Sequence, residues 1–301
     1  ADAHTRLGEF APARTATQAG LAAYPDAFYT PDLLFLDGLS ALQLQLNEQA
    51  QASLEQLLRR FPQHTSAPHA RYYLAYSLFN RTKFAEAMGH FQQVVDQTPD
   101  LDIAPDALFR VGECQFNLEQ YDRAAASYRQ LVTRYPEAPL REEAMYNLAW
   151  CSLSALPDGV ENPDMGPVQA ALLAYLGAYP DGRYVPTAQY TLGEISFNRG
   201  EYERAHDYFA DIERRYPDSE AAARTRQTLP KVLEAMAYRE YSAIMDDYYR
   251  ALNDQNRELL RAMIPRLEAV WDKYPVTYSG VGALVNVGVC YQNLEEWATA
   301  K

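Results

Sequence analysis

An aromatic residue followed by proline recurs along this chain as Tyr24-Pro25, Phe61-Pro62, Tyr135-Pro136, Tyr179-Pro180, Tyr216-Pro217 and Tyr274-Pro275, with Thr98-Pro99 filling the gap. Successive prolines are 37, 37, 37, 44, 37 and 58 residues apart, so one unit of 37 is used throughout and is lengthened by 7 and by 21 in two places. A fixed period of this size predicts stacked repeats, each too small to bury its apolar face alone. Further columns hold register inside the unit. Gly112, Tyr121, Ala124, Tyr128 and Pro136 recur as Gly193, Tyr202, Ala205, Phe209 and Pro217, and as Ala75, Phe84, Ala87, Phe91 and Pro99. Gly38, Asn47, Ala50, Leu54 and Pro62 form a degenerate copy, and Gly288, Trp297 and Ala300 a truncated one.

Between these columns the apolar residues recur at three- and four-residue steps, over Ala70 to Asn80, Ala87 to Val95, Ala107 to Asn117 and Ala124 to Val132. That is helical spacing, so each unit reads as a helix A and an antiparallel helix B. The small residue of helix A and the alanine of helix B let the two cross closely, and the aromatic at 91, 128 or 209 fills the space beside them. Proline closes helix B. A second proline six residues later (Pro31, Pro68, Pro105, Pro186) opens the next helix A, where a missing N–H costs nothing.

This pattern resembles the tetratricopeptide repeat, whose unit is a helix-turn-helix of about 34 residues with Leu-Gly, Tyr, Ala, Phe/Tyr, Ala and Pro columns. The resemblance implies an all-α, right-handed superhelical solenoid of antiparallel helix pairs. Its units would be five repeats at 26–62, 63–99, 100–136, 137–180 and 181–217, with a partial repeat at 1–25, an extended, proline-kinked hairpin at 218–275 and a second partial repeat at 276–301. Both ends fall inside a unit, which predicts a piece of a longer array or termini that pack against something. The endings Arg134-Tyr135-Pro136-Glu137 and Arg215-Tyr216-Pro217-Asp218 are similar to those of bacterial cell-envelope members of the family, and a place in the envelope or periplasm is implied on that ground alone, with the cytoplasm as the alternative.

Two units are irregular. The 44-residue one carries Leu156 to Pro167 as a loop between its helices, and Asp158, Glu161 and Asp164 there lack the order of a calcium-binding loop. In the 58-residue one Pro230 stands where the small residue belongs, and a helical stripe continues through Leu233, Met236, Tyr241, Met245, Tyr248 and Leu252 to a turn at 253–256. With Tyr238 and Tyr249, its tyrosines read either as packing or as a docking surface.

Chemistry finds little support. The five histidines show no zinc spacing, and no phosphate loop, dinucleotide fingerprint or nucleophile elbow occurs. Cys114, Cys151 and Cys290 share a column with Ser40 and Ser77, which reads as compact filler in the helix seam. No enzyme activity, cofactor or metal is predicted. A net charge of −13 disfavours nucleic acid and anionic lipid, and no apolar run is long enough to cross a membrane.

What remains is a surface. The resemblance implies that helix A residues at offsets −3, +1, +4 and +5 from the small column line a concave groove that holds a peptide or helix of another protein. Here those positions include Phe35; Tyr72, Tyr76, Phe79 and Asn80; Phe109, Glu113, Phe116 and Asn117; Tyr146 and Trp150; and Tyr190, Glu194, Phe197 and Asn198. The stripe is aromatic and acidic rather than the Lys, Arg and Asn stripe of family members that clamp acidic C-termini, so the expected partner is neutral or basic. The competing readings are that these rings pad the seam between A helices, or that the array is only a spacer arm.

Overall fold

A computed structural model of the chain describes residues 1–157, 159–160 and 163–295. Every regular element among them is an α-helix. They fall into two compact units, Ala1–Ala178 and Tyr179–Lys301. In the first, α1 (Asp2–Arg6) and α2 (Phe10–Ala23) precede the hairpins α3 (Thr30–Gln43) and α4 (Asn47–Arg60), α5 (Ala67–Asn80) and α6 (Phe84–Gln97), α7 (Ala104–Asn117) and α8 (Tyr121–Arg134), and α9 (Arg141–Ser154) and α10 (Gly166–Ala178). Each helix packs on its predecessor and its successor, the sequential contact that a stack of hairpins requires.

The helix limits follow from local chemistry. Helices α3, α5 and α7 carry their prolines in the first turn, as the spacing predicts. At the other end the residue seven beyond the small column takes a positive φ: 60° at Gln45, 57° at Thr82 and 60° at Glu119. The next N–H then bonds back into helix A, from Leu46 to the Ala41 carbonyl at 2.8 Å, Lys83 to Leu78 at 3.0 Å and Gln120 to Gln115 at 2.8 Å. This left-handed closure satisfies carbonyls that helix A leaves open. Thr82 is β-branched and strained in that conformation. Thr82→Gly is expected to raise stability by about 0.5–1 kcal/mol, the relief of strain exceeding the added chain entropy. A lower urea midpoint for the glycine variant would show that the threonine side chain contributes more than its backbone costs.

The small column works as sequence spacing predicts. A Cβ added at Gly38 would lie 2.6 Å from Leu54, and one at Gly112 2.7 Å from Tyr128. The Arg-aromatic-Pro endings tie one unit to the one before. Arg60 Nη2 donates to the Pro25 carbonyl at 2.8 Å and to Asp26 at 2.7 Å, while its guanidinium lies 5.0 Å from the centre of the Phe61 ring. Tyr135 likewise donates to the Pro99 carbonyl at 2.9 Å. All three cysteines of the chain are buried as free thiols.

In the second unit α11 (Val185–Asn198) and α12 (Tyr202–Arg215) form a further hairpin of the same kind, with Phe209 against Gly193 and Arg215 on Pro180 and Asp181. Next come α13 (Glu220–Asn253), α14 (Arg257–Lys273) and α15 (Tyr278–Asn293). Helix α13 has 34 residues and runs unbroken through Pro230, roughly 50 Å at the helical rise. Its first part engages α11 and α12, through Arg224 on Glu194 and Arg239 on Glu203. Its later part engages α14 and α15, through Asp247 on Arg266, Glu240 on Lys273, and Tyr241 and Tyr248, whose hydroxyls both bond the Asn286 amide. Those two tyrosines are packing; Tyr238 and Tyr249 are exposed. Glu234 caps α15 by accepting from the Tyr278 N–H at 2.7 Å and the Ser279 hydroxyl at 2.6 Å, a carboxylate at the positive end of a helix.

In the lengthened loop Asp164 accepts the Gly166 N–H at 2.8 Å at the start of α10, whereas Asp158 and Glu161 lie outside the described residues. Trp297 and Ala300 of the truncated copy lie outside them too.

Candidate functional site

The A helices of the first unit open onto two neighbouring cavities. The larger holds about 800 Å³ and is lined by Leu42 and Gln43 of α3, Gln45 and Asn47 at the turn into α4, Tyr72, Tyr73, Tyr76 and Asn80 of α5, and Arg110 of α7. Its rings are fixed by one another: Tyr72 meets Tyr73 edge-on at 5.3 Å and Phe91 at 5.5 Å, and Tyr73 meets Phe35 at 5.9 Å. The Tyr72 hydroxyl bonds the Asp106 carboxylate. Asn80 donates to the Asn47 side chain at 3.3 Å, which joins the end of one A helix to the start of the preceding B helix.

Arg110 organises this wall. It donates to Glu113 Oε2 at 2.6 Å, approaches Asp106 at 3.7 Å and lies 5.4 Å from the centre of the Tyr76 ring. Burial works against its charge, yet Glu113 and Asp106 more than offset that and hold its pKa above the ordinary guanidinium value. Burial pushes the Glu113 carboxyl up against the pull of Arg110, and Glu143 and Asp106 push the same way. The cluster is therefore rich in negative charge with one cation inside it.

The smaller cavity, about 340 Å³, is lined by Glu113, Phe116 and Asn117 of α7, Tyr128 of α8, and Asn147 and Trp150 of α9. The two cavities share the Arg110–Glu113 pair as a partition, with Arg110 facing the first and Glu113 the second.

Of the residues that offset counting singles out, the first cavity gathers Tyr72, Tyr76 and Asn80, and the second Glu113, Phe116, Asn117 and Trp150. Three others are interior. Phe109 is 2% exposed against Tyr128, Tyr146 7% against Tyr175, and Tyr190 4% against Phe209. They support the wall without forming its surface, because each ring lies over a large aromatic of its own helix B. Phe79, Phe116 and Phe197 pack on the first residue of their own B helices, Phe84, Tyr121 and Tyr202, and so close the hairpins. Phe35 is half-buried. In the second unit Glu194 is paired with Arg224, whose guanidinium lies 4.0 Å from the centre of the Tyr190 ring, and Asn198 is exposed at the end of α11. Asn117 donates back to the Glu113 carbonyl of its own helix at 2.8 Å, the helix-ending role.

Arg110, Tyr73, Asn47, Gln45, Tyr128 and Asn147 line the cavities from positions outside those offsets. Arg110 carried the one available signal: a lone cation two positions before Gly112, on a helix face otherwise aromatic and acidic.

Sequence models of the tetratricopeptide repeat match residues 35–102, and again residues 106–138 and 187–219. No curated protein matches the chain. Among solved structures the chain is similar to PilW, described as a widely conserved type IV pilus biogenesis factor, with 18% identity over 76% of this chain and 93% of that one and a TM-score of 0.50. It is also similar to a tetratricopeptide repeat protein from Parabacteroides merdae, with 15% identity, 90% and 89% coverage and a TM-score of 0.50. The apo form of RapI gives 10% identity, 97% and 95% coverage and a TM-score of 0.50. At these identities the likeness concerns the fold. Repeats of this kind are scaffolds for protein–protein interaction. With the 37-residue columns, the sequential hairpins and the matched segments in agreement, this chain is a tetratricopeptide repeat protein.

Proposed function

We propose that the first unit binds a segment of another protein, a peptide or a helix, in the cavity walled by α3, α5 and α7. The carrying observation is a cavity of about 800 Å³ whose Tyr72 and Tyr73 rings are held by other rings, whose Tyr76 ring lies against Arg110, and whose rim offers the amides of Gln43, Asn47 and Asn80. Rigid rings supply contact area at little entropic cost, and side-chain amides hold the backbone of an extended segment. The acidic cluster around Arg110 favours a neutral or basic segment. In the second unit the corresponding stripe reads as packing, since Tyr190 is interior and Glu194 is held by Arg224.

The same reading makes the protein a non-catalytic scaffold. Burial pushes the Cys114 thiol up to about 12 and the Cys151 and Cys290 thiols up to about 11, which makes them poor nucleophiles. We extend the proposal to a bacterial envelope assembly, on the resemblance of the Arg-Tyr-Pro endings and on the fold likeness to a type IV pilus biogenesis factor.

Tyr76→Ala is expected to fold normally by circular dichroism and to weaken partner capture from a native lysate by about 2 kcal/mol, roughly 30-fold. A folded variant that captures the same proteins at the same yield would remove the groove from the account and leave the array as a spacer.

A further inference from the structure

The smaller cavity has a composition of its own. Phe116 and Trp150 give it two aromatic walls over a floor at the buried Tyr128 ring, Asn117 and Asn147 sit at its sides, and the Glu113 carboxylate faces it. Trp150 is 39% exposed, so one wall is reachable from solvent. Glu143 stands four residues before Asn147 and seven before Trp150, on the same face of α9. Asp106, Glu113 and Glu143 together carry three negative charges against the single positive charge of Arg110. That cation lies on the far side of the partition, engaged with Glu113 Oε2 and the Tyr76 ring. No other hydrogen bond reaches the Glu113 side chain among the described residues. An aromatic box with an under-neutralised carboxylate at its wall attracts a cation twice, through the ring faces and through Coulomb attraction in a partly desolvated site.

We propose that this cavity is a subsite for one basic side chain, lysine or arginine, of the protein segment bound in the adjoining groove. The inference rests on the groove reading, and it adds to that reading a positional requirement for a cation where the segment passes α7 and α9. A volume of about 340 Å³ is ample for one long basic side chain.

The test uses small probes, so that it does not depend on knowing the partner. N-acetyl-lysine methylamide, N-acetyl-arginine methylamide and the corresponding norleucine and glutamate amides are titrated into the intact protein and followed by ligand-observed NMR. The basic probes are expected to bind at least about fivefold more tightly than norleucine. Glu113→Gln, which removes the charge, and Trp150→Ala, which removes a wall and leaves the Arg110–Glu113 pair, should each abolish that preference. Tyr238→Ala, an exposed residue of the second unit, should leave it unchanged. Equal binding of norleucine, preference for the glutamate probe, or no binding of any probe would each overturn the subsite. Partner capture that still depends on Tyr76 would then show that the groove survives without it. Loss of the Tyr76 dependence with the probe preference intact would show the reverse.

Discussion

Replacing Asp37 with alanine is expected to destabilise the N-terminal hairpins by about 3–5 kcal/mol, the cost of breaking a hydrogen-bonded ion pair whose carboxylate is buried. Asp37 is 3% exposed, and three side chains from the two flanking helices converge on it. Thr17 of α2 donates to it at 3.1 Å, Ser53 of α4 at 2.6 Å, and the Arg14 guanidinium lies 3.4 Å away. The carboxylate thus ties α2, α3 and α4 together at a position where later units hold Leu74, Val111, Leu148 and Leu192. Removing it strands the partly buried Arg14, whose buried Nε already has no hydrogen-bond partner, and two hydroxyls. Contacts in a stacked array are local, so the effect should be local as well. Amide exchange in α2 to α4 should accelerate by about 100-fold or more, with α7 and α8 changing far less. Asp37→Asn, which keeps the acceptor oxygen for the hydroxyls, should fall between. Unchanged exchange in α2 to α4 would show that the ion pair contributes nothing net.

The second large effect concerns the seam between α11 and α12. Phe209 is fully buried, in contact with Tyr190 and over Gly193, and Phe209→Ala should cost about 3–5 kcal/mol in urea unfolding. Gly193→Ala alone should cost about 1–3 kcal/mol, because its Cβ would meet the ring at well under contact distance. A Cβ there would lie 2.6 Å from the Phe209 ring. Combined, the two should cost less than their sum by about 1 kcal/mol or more, since the new methyl enters the space the ring has vacated. The unit with Ala75 opposite Phe91 shows that a methyl and a ring can share this seam when the ring is seated for it. Strict additivity would mean that the glycine serves the backbone rather than the ring.

The hairpins were legible because their signals are close in sequence. Proline in the first turn of α3, α5, α7 and α11, the Leu54 side chain facing Gly38 and the rings facing Gly112 and Gly193 all act within one unit of 37 residues. The long helix was legible in the same way, as a stripe that continued past Pro230 to Leu252, one residue short of the helix end at Asn253. The fates of the aromatic rings were not. Tyr72 and Phe109 occupy the same column, yet one lines a cavity and the other is interior. At that offset a ring sits at the edge of the helix face, and small differences in the opposing side chains decide whether it turns in or out. Arg110 and Asp37 were missed for a related reason: each is a charge in a column that is otherwise uncharged or apolar, and its meaning depends on partners from other helices.

The amino-acid sequence by itself determined the repeat, the helix limits, the close crossing inside each pair and the tetratricopeptide character of the chain. These rest on steric and hydrogen-bonding preferences that operate over a few turns of chain. Only the tertiary structure decided which rings line a cavity and which are interior, that Arg110 and Glu113 divide one wall into two cavities, and that Asp37 joins three helices. Exposure and charge pairing belong to neighbouring units in contact, and no single stretch of chain encodes them.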